Sequence, residues 1–168
     1  MKVAVKDACV LIDLANGGLL DAWFCLGIET HTTNLVIRQL KSDHQWQLVS
    51  GFIEAGILKV TTLTGSQMSE LHAEFGHLSV GITDQTVLFL ALELDAILVT
   101  GDRKVRVEGL KRKIEVRGLL WILDELVGKK FLAPKLAAAK LRLMLDEGAF
   151  LPPVECQKRL VEWESSTE

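Results

Sequence analysis

Short apolar runs alternate with segments of helical spacing along most of the chain. Five runs rich in β-branched or aliphatic residues predict strands at residues 2–6, 29–33, 57–63, 97–100 and 114–116. The run at 29–33 has the poorest apolar content of the five. Apolar residues with helical periodicity predict helices at residues 8–23, 34–41, 45–55, 67–75 and 84–94. Gly17-Gly18 predicts an interruption within the first of these helices.

The order of these elements predicts the class of fold. Strands that alternate with helices form βαβ units, so we expect an α/β fold, a three-layer α/β/α sandwich with a mainly parallel central sheet. From residue 119 onward the pattern is helical, with an Ala- and Leu-rich helix at 132–145 and a last helix at 154–163. We expect one domain over residues 1–150 and a helical tail over 151–168, packed on the domain's flank or on a second subunit.

Composition narrows the choice of protein class. A length of 168 residues suits one domain, and a net charge of −3 excludes a generally basic nucleic-acid coat protein while allowing a local basic patch. The three cysteines lack CxxC spacing, so neither structural zinc nor a disulfide framework is expected, and Cys9 is interpreted as a small core residue. No signal-peptide pattern and no apolar run of about 20 residues is present, which favours a cytoplasmic protein without a membrane span.

Three aspartates occur where a strand should meet a helix. Asp7 and Asp102 follow predicted strands, and Asp84 opens a predicted helix. Ligands of an open parallel sheet bind outside the carboxyl ends of its strands, so we expect these carboxylates to converge at that edge. Clustered carboxylates repel one another, and a hard divalent cation that also activates water against a phosphodiester would compensate them. This pattern predicts a metal-dependent nuclease.

Two other interpretations of the aspartates are open. Each one alone is a good helix N-cap, because a carboxylate satisfies the free N–H groups of a first helical turn. A phosphatase of the haloacid-dehalogenase type also uses strand-end aspartates, but it needs an acid two residues after Asp7, where this chain has Cys9. It needs a second late acid as well, and Arg106 occupies that position.

Several motifs of the chain match one known family in order and spacing. The first is a short apolar strand at 3–5 followed by Asp7, Ala8 and an apolar helix start at 10–14. The second comprises Leu78, Ser79, Asp84, Leu88 and Ala91, and the third comprises Leu98, Val99, Thr100, Gly101 and Asp102. Over roughly residues 2–130 the chain thus resembles the PIN domain, a family of metal-dependent ribonucleases.

The resemblance implies an endoribonuclease that uses Mg²⁺ or Mn²⁺, with Asp7, Asp84 and Asp102 as both catalytic residues and metal ligands. It also implies RNA as the substrate. Resemblance to PIN toxins of toxin–antitoxin pairs further implies a homodimer and a small antitoxin protein as partner.

The chain departs from the family pattern at two positions. Gln39 stands where the family commonly has a Glu, and Lys104 stands where many members carry another acid. A Gln carbonyl is a ligand without charge, so Gln39 is expected to be a weak metal ligand, and Asp43 is a less favoured substitute for it. The alternative is a catalytically weakened PIN-like scaffold that acts by protein or RNA binding.

A basic stretch follows Asp102. Seven basic residues are opposed by three acids between 102 and 117, which gives a net charge of +4 (7 − 3); they are Arg103, Lys104, Arg106, Lys111, Arg112, Lys113 and Arg117. Such a stretch beside a carboxylate site could guide a phosphate backbone, and an ordinary charged surface explains it equally well. Asp13, two turns into the first helix, is placed at the edge of the site or on the surface.

Overall fold

A computed structural model describes residues 2–167 and contains one five-stranded sheet. Its strands are β1 (Val3–Lys6), β2 (Glu29–Thr33), β3 (Leu58–Thr61), β4 (Ile97–Val99) and β5 (Val116–Arg117), in the order β3-β2-β1-β4-β5. Every pairing is parallel, and central Val5 is in register with both His31 and Leu98. Ala4 and Val5 point to opposite faces and both are fully buried, so helices cover the sheet on both sides. The predicted α/β sandwich is confirmed.

Ten helices connect and flank these strands within the described residues. They are α1 (Ala8–Asn16), α2 (Leu20–Cys25), α3 (Asn34–Ile37), α4 (Asp43–Glu54), α5 (Gly65–Phe75), α6 (Ile82–Glu93), α7 (Arg103–Lys111), α8 (Leu119–Gly128), α9 (Pro134–Asp146) and α10 (Pro153–Glu164). The break at Gly17-Gly18 is confirmed, with Gly18 at a φ of 63° that other residues rarely adopt. All residues of α6 from Gln85 to Ala91 are buried, which makes it the central helix of the core.

Most predicted element ends differ from the structure by one or two residues, and two helices differ by more. The helix expected over 34–41 ends at Ile37, because Ser42 starts a new helix and its Oγ accepts the Gln45 N–H at 3.1 Å. Helix α7 was not among the helices predicted from apolar spacing, although the N-cap interpretation of Asp102 implied a helix start there. Its charged sequence gives a weak apolar stripe, and its start is fixed by the cap residue Asp102 rather than by hydrophobic spacing.

Strand β2 is buried although its residues are mostly polar. The Thr30 hydroxyl donates to the Ile28 carbonyl at 2.9 Å, and the Thr32 hydroxyl donates to the Lys6 carbonyl at 2.9 Å. The Thr33 hydroxyl lies 3.0 Å from that of Thr86 on α6. Because each threonine hydroxyl is satisfied, these residues can occupy the interior, and the Nδ1 of His31 is the buried side-chain atom of this strand that has no hydrogen-bond partner among the described residues. The strand predicted at 29–33 is confirmed.

The C-terminal helices pack on the flank of the domain. Helix α9 contacts α8 and α10, and α10 buries Cys156, Leu160 and Trp163. Arg159 of α10 makes a double hydrogen bond to Asp124 of α8, at 2.8 and 2.6 Å. The expected division between residues 150 and 151 stays a prediction. No helix within residues 2–167 combines the length and the apolar character needed to cross a bilayer.

Candidate active site

Asp7 and Asp102 lie at neighbouring positions on the carboxyl edge of the sheet. Strands β1 and β4 are paired in parallel, and each aspartate follows one of them. The Asp7 N–H continues the ladder by donating to the Val99 carbonyl at 3.1 Å. Asp7 then caps α1, and Asp102 caps α7. The two adjacent parallel strands therefore bring residues 95 positions apart to one edge.

The Asp7 carboxylate is buried and tightly held. Its Oδ1 accepts the Val10 N–H at 2.9 Å, and its Oδ2 accepts the Gly101 N–H at 3.2 Å and the Thr100 hydroxyl. Burial raises the pKa of Asp7, and these three hydrogen bonds oppose the rise by stabilising the charged form. The helix-cap interpretation of Asp7 is thus correct, and the cap leaves the carboxylate fixed at the sheet edge.

Thr100 joins the two strand-end aspartates. Its hydroxyl donates to Asp7 and accepts the Asp102 N–H at 3.0 Å. The Asp102 Oδ1 in turn accepts the N–H groups of Lys104 and Val105 at 2.7 and 3.0 Å. Thr100 was quoted in the sequence motif without a role. The sequence nevertheless carried a signal for this role. A threonine that ends a buried strand two residues before an aspartate can reach that aspartate and also the residue that follows the neighbouring strand.

Asp84 is the third member of the cluster. It lies in the first turn of α6, after the N-cap Gly81. Burial, followed by the negative charges of Asp102 and Asp7, raises the pKa of Asp84 to about 6. No hydrogen bond within the described residues ends on this carboxylate. The charges of Asp102 and Asp7 therefore act on the Asp84 carboxyl group at this edge of the sheet.

Cys9 and Asp13 border this acidic edge on α1. Cys9 was expected in the core, and that expectation is wrong, because its side chain is exposed. Burial of part of the thiol and the charges of Asp7, Asp13, Asp102 and Asp84 raise the pKa of Cys9 to about 11. Burial, Asp7 and Glu147 raise the pKa of Asp13 to about 6. A thiol held protonated among carboxylates is a poor nucleophile.

Asp102 opens into a cavity of about 710 Å³, whose lining also includes Cys9, Asp13, Arg103, Lys104 and Phe150. A family model described as a PIN domain matches residues 3–165. The chain belongs to the PIN-domain family. No curated protein matches the chain. PIN domains are generally nucleases and usually depend on divalent metal ions, which favours the nuclease interpretation over the phosphatase one.

The two departures from the PIN-domain pattern lie in different environments. Gln39 is exposed in the turn after α3, and no described hydrogen bond links it to the three aspartates. Lys104 is exposed in the first turn of α7, where its backbone N–H donates to Asp102. Lys104 is also one of the residues that line the acidic cavity, so a basic residue lies beside Asp102 there.

A buried lysine next to Asp7 was missed by the sequence analysis. Lys6 is fully buried, with Nζ 3.4 Å from the centroid of the Trp23 ring and without a hydrogen-bond partner among the described residues. Burial lowers the pKa of Lys6 well below its usual value, and the charge of Asp7 opposes that change. A lysine inside a strand pattern normally indicates a solvent-facing position, so nothing in the sequence signalled this burial.

The donor set of this PIN domain fits a hard divalent cation in its chemistry. Its carboxylate oxygens are the ligands that Mg²⁺ and Mn²⁺ prefer, and Oδ2 of Asp102 and both oxygens of Asp84 receive no hydrogen bond among the described residues. A cation would also relieve the repulsion that raises the pKa of Asp84. Within residues 2–167, no group of three or more His, Cys, Asp or Glu side chains has a geometry that could hold a metal ion.

Proposed function

We propose that this PIN domain is a Mg²⁺- or Mn²⁺-dependent endoribonuclease, with Asp7, Asp84 and Asp102 as its metal ligands and catalytic residues. The observation that supports it is the position of Asp7 and Asp102 after two adjacent parallel strands, with Thr100 hydrogen-bonded to both and Asp84 near enough to be affected by their charges. Three negative groups in a half-buried site destabilise the metal-free protein. A loss of folding stability at one group of residues is characteristic of functional sites.

Each aspartate has a separate part in the proposed mechanism. Asp7 is fixed by three donors and keeps lone pairs for one further ligand. Asp84 and Asp102 offer oxygens that no donor of the described chain occupies. A bound divalent cation would supply activation of water and neutralisation of charge on the phosphodiester. Gln39 would at most add a neutral carbonyl from the turn after α3.

The basic residues nearest to the site would hold the substrate. Arg103 and Lys104 line the acidic cavity beside Asp102 and have no ion pair within the described residues. Arg112 and Arg117 are instead paired with Glu108 and Glu115. The positive charge available to an RNA phosphate is therefore concentrated at the start of α7, next to the carboxylates.

Cleavage of single-stranded RNA by the purified protein with added Mn²⁺ or Mg²⁺ tests the proposal. Asp7→Asn is expected to abolish metal-dependent cleavage and to weaken Mn²⁺ binding in isothermal titration, while Asn preserves the helix cap. Asp21→Asn, which changes an exposed carboxylate on α2, is the matched control. Total inactivity of the wild type with either metal would favour the scaffold alternative.

Gln39→Glu tests whether the turn after α3 belongs to the site. One added carboxylate ligand contributes on the order of 1–3 kcal/mol, so Mn²⁺ affinity is expected to rise by about one or two decades. Equal affinity for the wild type, Gln39→Glu and Asp7→Asn would show that these residues are not the metal site.

We extend the proposal to the toxin of a toxin–antitoxin pair, acting as a homodimer that a small antitoxin protein inhibits. The PIN-domain membership and the apolar side chains exposed on α9 and α10 support it. Expression in a bacterial host is expected to arrest growth, and Asp7→Asn to relieve the arrest. A short neighbouring reading frame whose product restores growth would identify the antitoxin; unimpaired growth on expression of the active enzyme would contradict the toxin role.

A further inference from the structure

A second cavity lies beside the acidic one and has a different chemistry. This side pocket has a volume of about 530 Å³, and its walls include Arg103, Arg106, Leu120, Trp121, Phe150 and Pro152. Arg103 and Phe150 also line the acidic cavity, so the two cavities lie side by side. Two neighbouring residues of one chain could therefore occupy the acidic cavity and the side pocket.

One wall of the side pocket is aromatic and apolar. Phe150 lies in the connection between α9 and α10, and 96% of its surface is exposed. Trp121 is half-buried on α8, where it packs edge-on against Trp23 with ring centroids 6.1 Å apart. An aromatic ring left this exposed at the mouth of a cavity costs solvation free energy unless a ligand covers it.

The other wall is cationic. The Arg106 Nη2 donates to the Thr100 carbonyl at 3.4 Å, and it lies against Gly118, where a Cβ would be 2.9 Å from it. The absence of a side chain at Gly118 thus lets the guanidinium reach the end of β4. Arg103 and Arg106 have no carboxylate partner within residues 2–167, so the charge on this wall is uncompensated.

We propose that the side pocket binds one unpaired nucleobase of the RNA, next to the phosphodiester held at the acidic edge. This inference rests on the proposed nuclease function. A base stacks on Phe150 and Trp121, and the adjoining phosphate pairs with the two guanidinium groups. A base within a duplex is already stacked and paired, so the pocket selects single-stranded RNA as the substrate.

Binding of fluorescein-labelled RNA tests this inference through a readout other than cleavage. In the cleavage-deficient Asp7→Asn background with Mg²⁺, a single strand is expected to bind more tightly than the same strand in a blunt duplex. Phe150→Ala is expected to weaken single-strand binding by about 5- to 150-fold, and Phe150→Trp to restore it. Arg103→Ala is expected to weaken binding and to lower its salt dependence.

Phe131→Ala is the matched control, because that phenylalanine is 48% exposed but lines neither cavity. A single strand carrying 5-iodouridine gives a second readout, in which crosslinks are expected at Phe150 or Trp121. If the wild type cleaves RNA and Phe150→Ala leaves RNA binding unchanged, the nucleobase site in the side pocket is overturned and the nuclease proposal stands. Absence of both RNA binding and cleavage would overturn both. A change of oligomeric state without a change in RNA binding would assign Phe150 to a second copy of the chain and overturn the inference.

Discussion

Thr100 is the residue on which the geometry of the candidate site depends most. Its hydroxyl is a donor to the Asp7 carboxylate and an acceptor for the Asp102 N–H, and it is fully buried. Replacing it with an apolar group of the same shape would leave the partly buried N–H of Asp102 without this partner and would remove one donor from the Asp7 carboxylate. A buried polar group without its partner costs about 1–3 kcal/mol.

Thr100→Val is therefore expected to lower the free energy of unfolding by about 1–3 kcal/mol, as measured by urea denaturation. It is also expected to reduce metal-dependent cleavage, whereas Thr100→Ser keeps the hydroxyl and retains activity. Thr30→Val is the control, because it removes a buried hydroxyl that bonds Ile28 and Trp23 and not the aspartates. Equal cleavage by the Thr30 and Thr100 valine variants would show that Thr100 has a structural role only.

The acidic cluster predicts how the metal-free protein responds to pH. The pKa of Asp84 is raised from 3.8 to about 6, first by burial and then by Asp102 and Asp7. Between these values the folded state keeps a proton that the unfolded state has lost, so the Asp84 contribution to stability is lost as the pH rises through this window. A neutral side chain at this position removes that dependence.

In buffer with EDTA, the Tm of Asp84→Asn minus the Tm of wild type is accordingly expected to be larger at about pH 7.5 than at about pH 4.5. Asp21→Asn, on the surface of α2, is expected to show no such difference between the two pH values. A Tm difference between wild type and Asp84→Asn that does not change with pH would mean that folding does not raise the pKa of Asp84.

Single residues were predictable where their role follows from position in the fold. Asp7 and Asp102 could be placed at one edge because they follow strands, and the parallel pairing of β1 and β4 confirms the placement. The burial of Lys6 and the exposure of Cys9 could not be predicted, because both depend on which helices cover that edge. A strand pattern gives the alternation of faces but not the elements that pack on them.

Among the elements, strands were easier to predict than helices with charged sequences. Five strands were recovered, including β2, whose threonines compensate for its missing apolar residues. Helix α7 was missed because its only buried residues are Val105 and Gly109. The contact of α7 with the sheet depends on a glycine, and a search for periodic apolar residues does not detect a buried glycine.

Gly109 allows α7 to approach the sheet closely. A Cβ at this position would lie 2.8 Å from Leu98 Cδ2 and 2.9 Å from Val116 Cγ2, both in buried strands. Gly109→Ala is expected to destabilise the protein, since overpacking costs about 1–3 kcal/mol and outweighs the gain in helix propensity of about 1 kcal/mol. The midpoint of chemical denaturation measures this.

Gly51→Ala in α4 is the matched control for that change. No atom lies within 4 Å of a Cβ at Gly51, so the alanine is expected to stabilise the protein by up to about 1 kcal/mol. The two substitutions are chemically identical, and their opposite signs isolate the packing of α7. Stabilisation by both would mean that Leu98 and Val116 move aside without cost.

At the scale of the whole molecule, α9 and α10 form a layer with two faces. Their inner face is fixed to the domain by Leu141, Leu160 and Trp163, and by the ion pair of Arg159 with Asp124. Their outer surface carries pairs of exposed aliphatic residues spaced seven apart, which places each pair on one side of its helix; they are Leu136 and Leu143 on α9, and Val154 and Val161 on α10. This outer apolar face is where the proposed homodimer would form.

The double substitution Val154→Glu and Val161→Glu is expected to convert the dimer to a monomer in analytical ultracentrifugation. The two valines are 67% and 59% exposed, so in the isolated chain the charges are tolerated and the Tm of the monomer should change little. In an interface, by contrast, each buried carboxylate would lack a partner and would carry a desolvation penalty. Leu110→Glu, 57% exposed on α7, places the same charge elsewhere and is expected to leave the dimer intact. A wild type that sediments as a monomer would show that the chain does not form the proposed homodimer. A double variant that remains dimeric would show that the dimer forms through a surface other than α10.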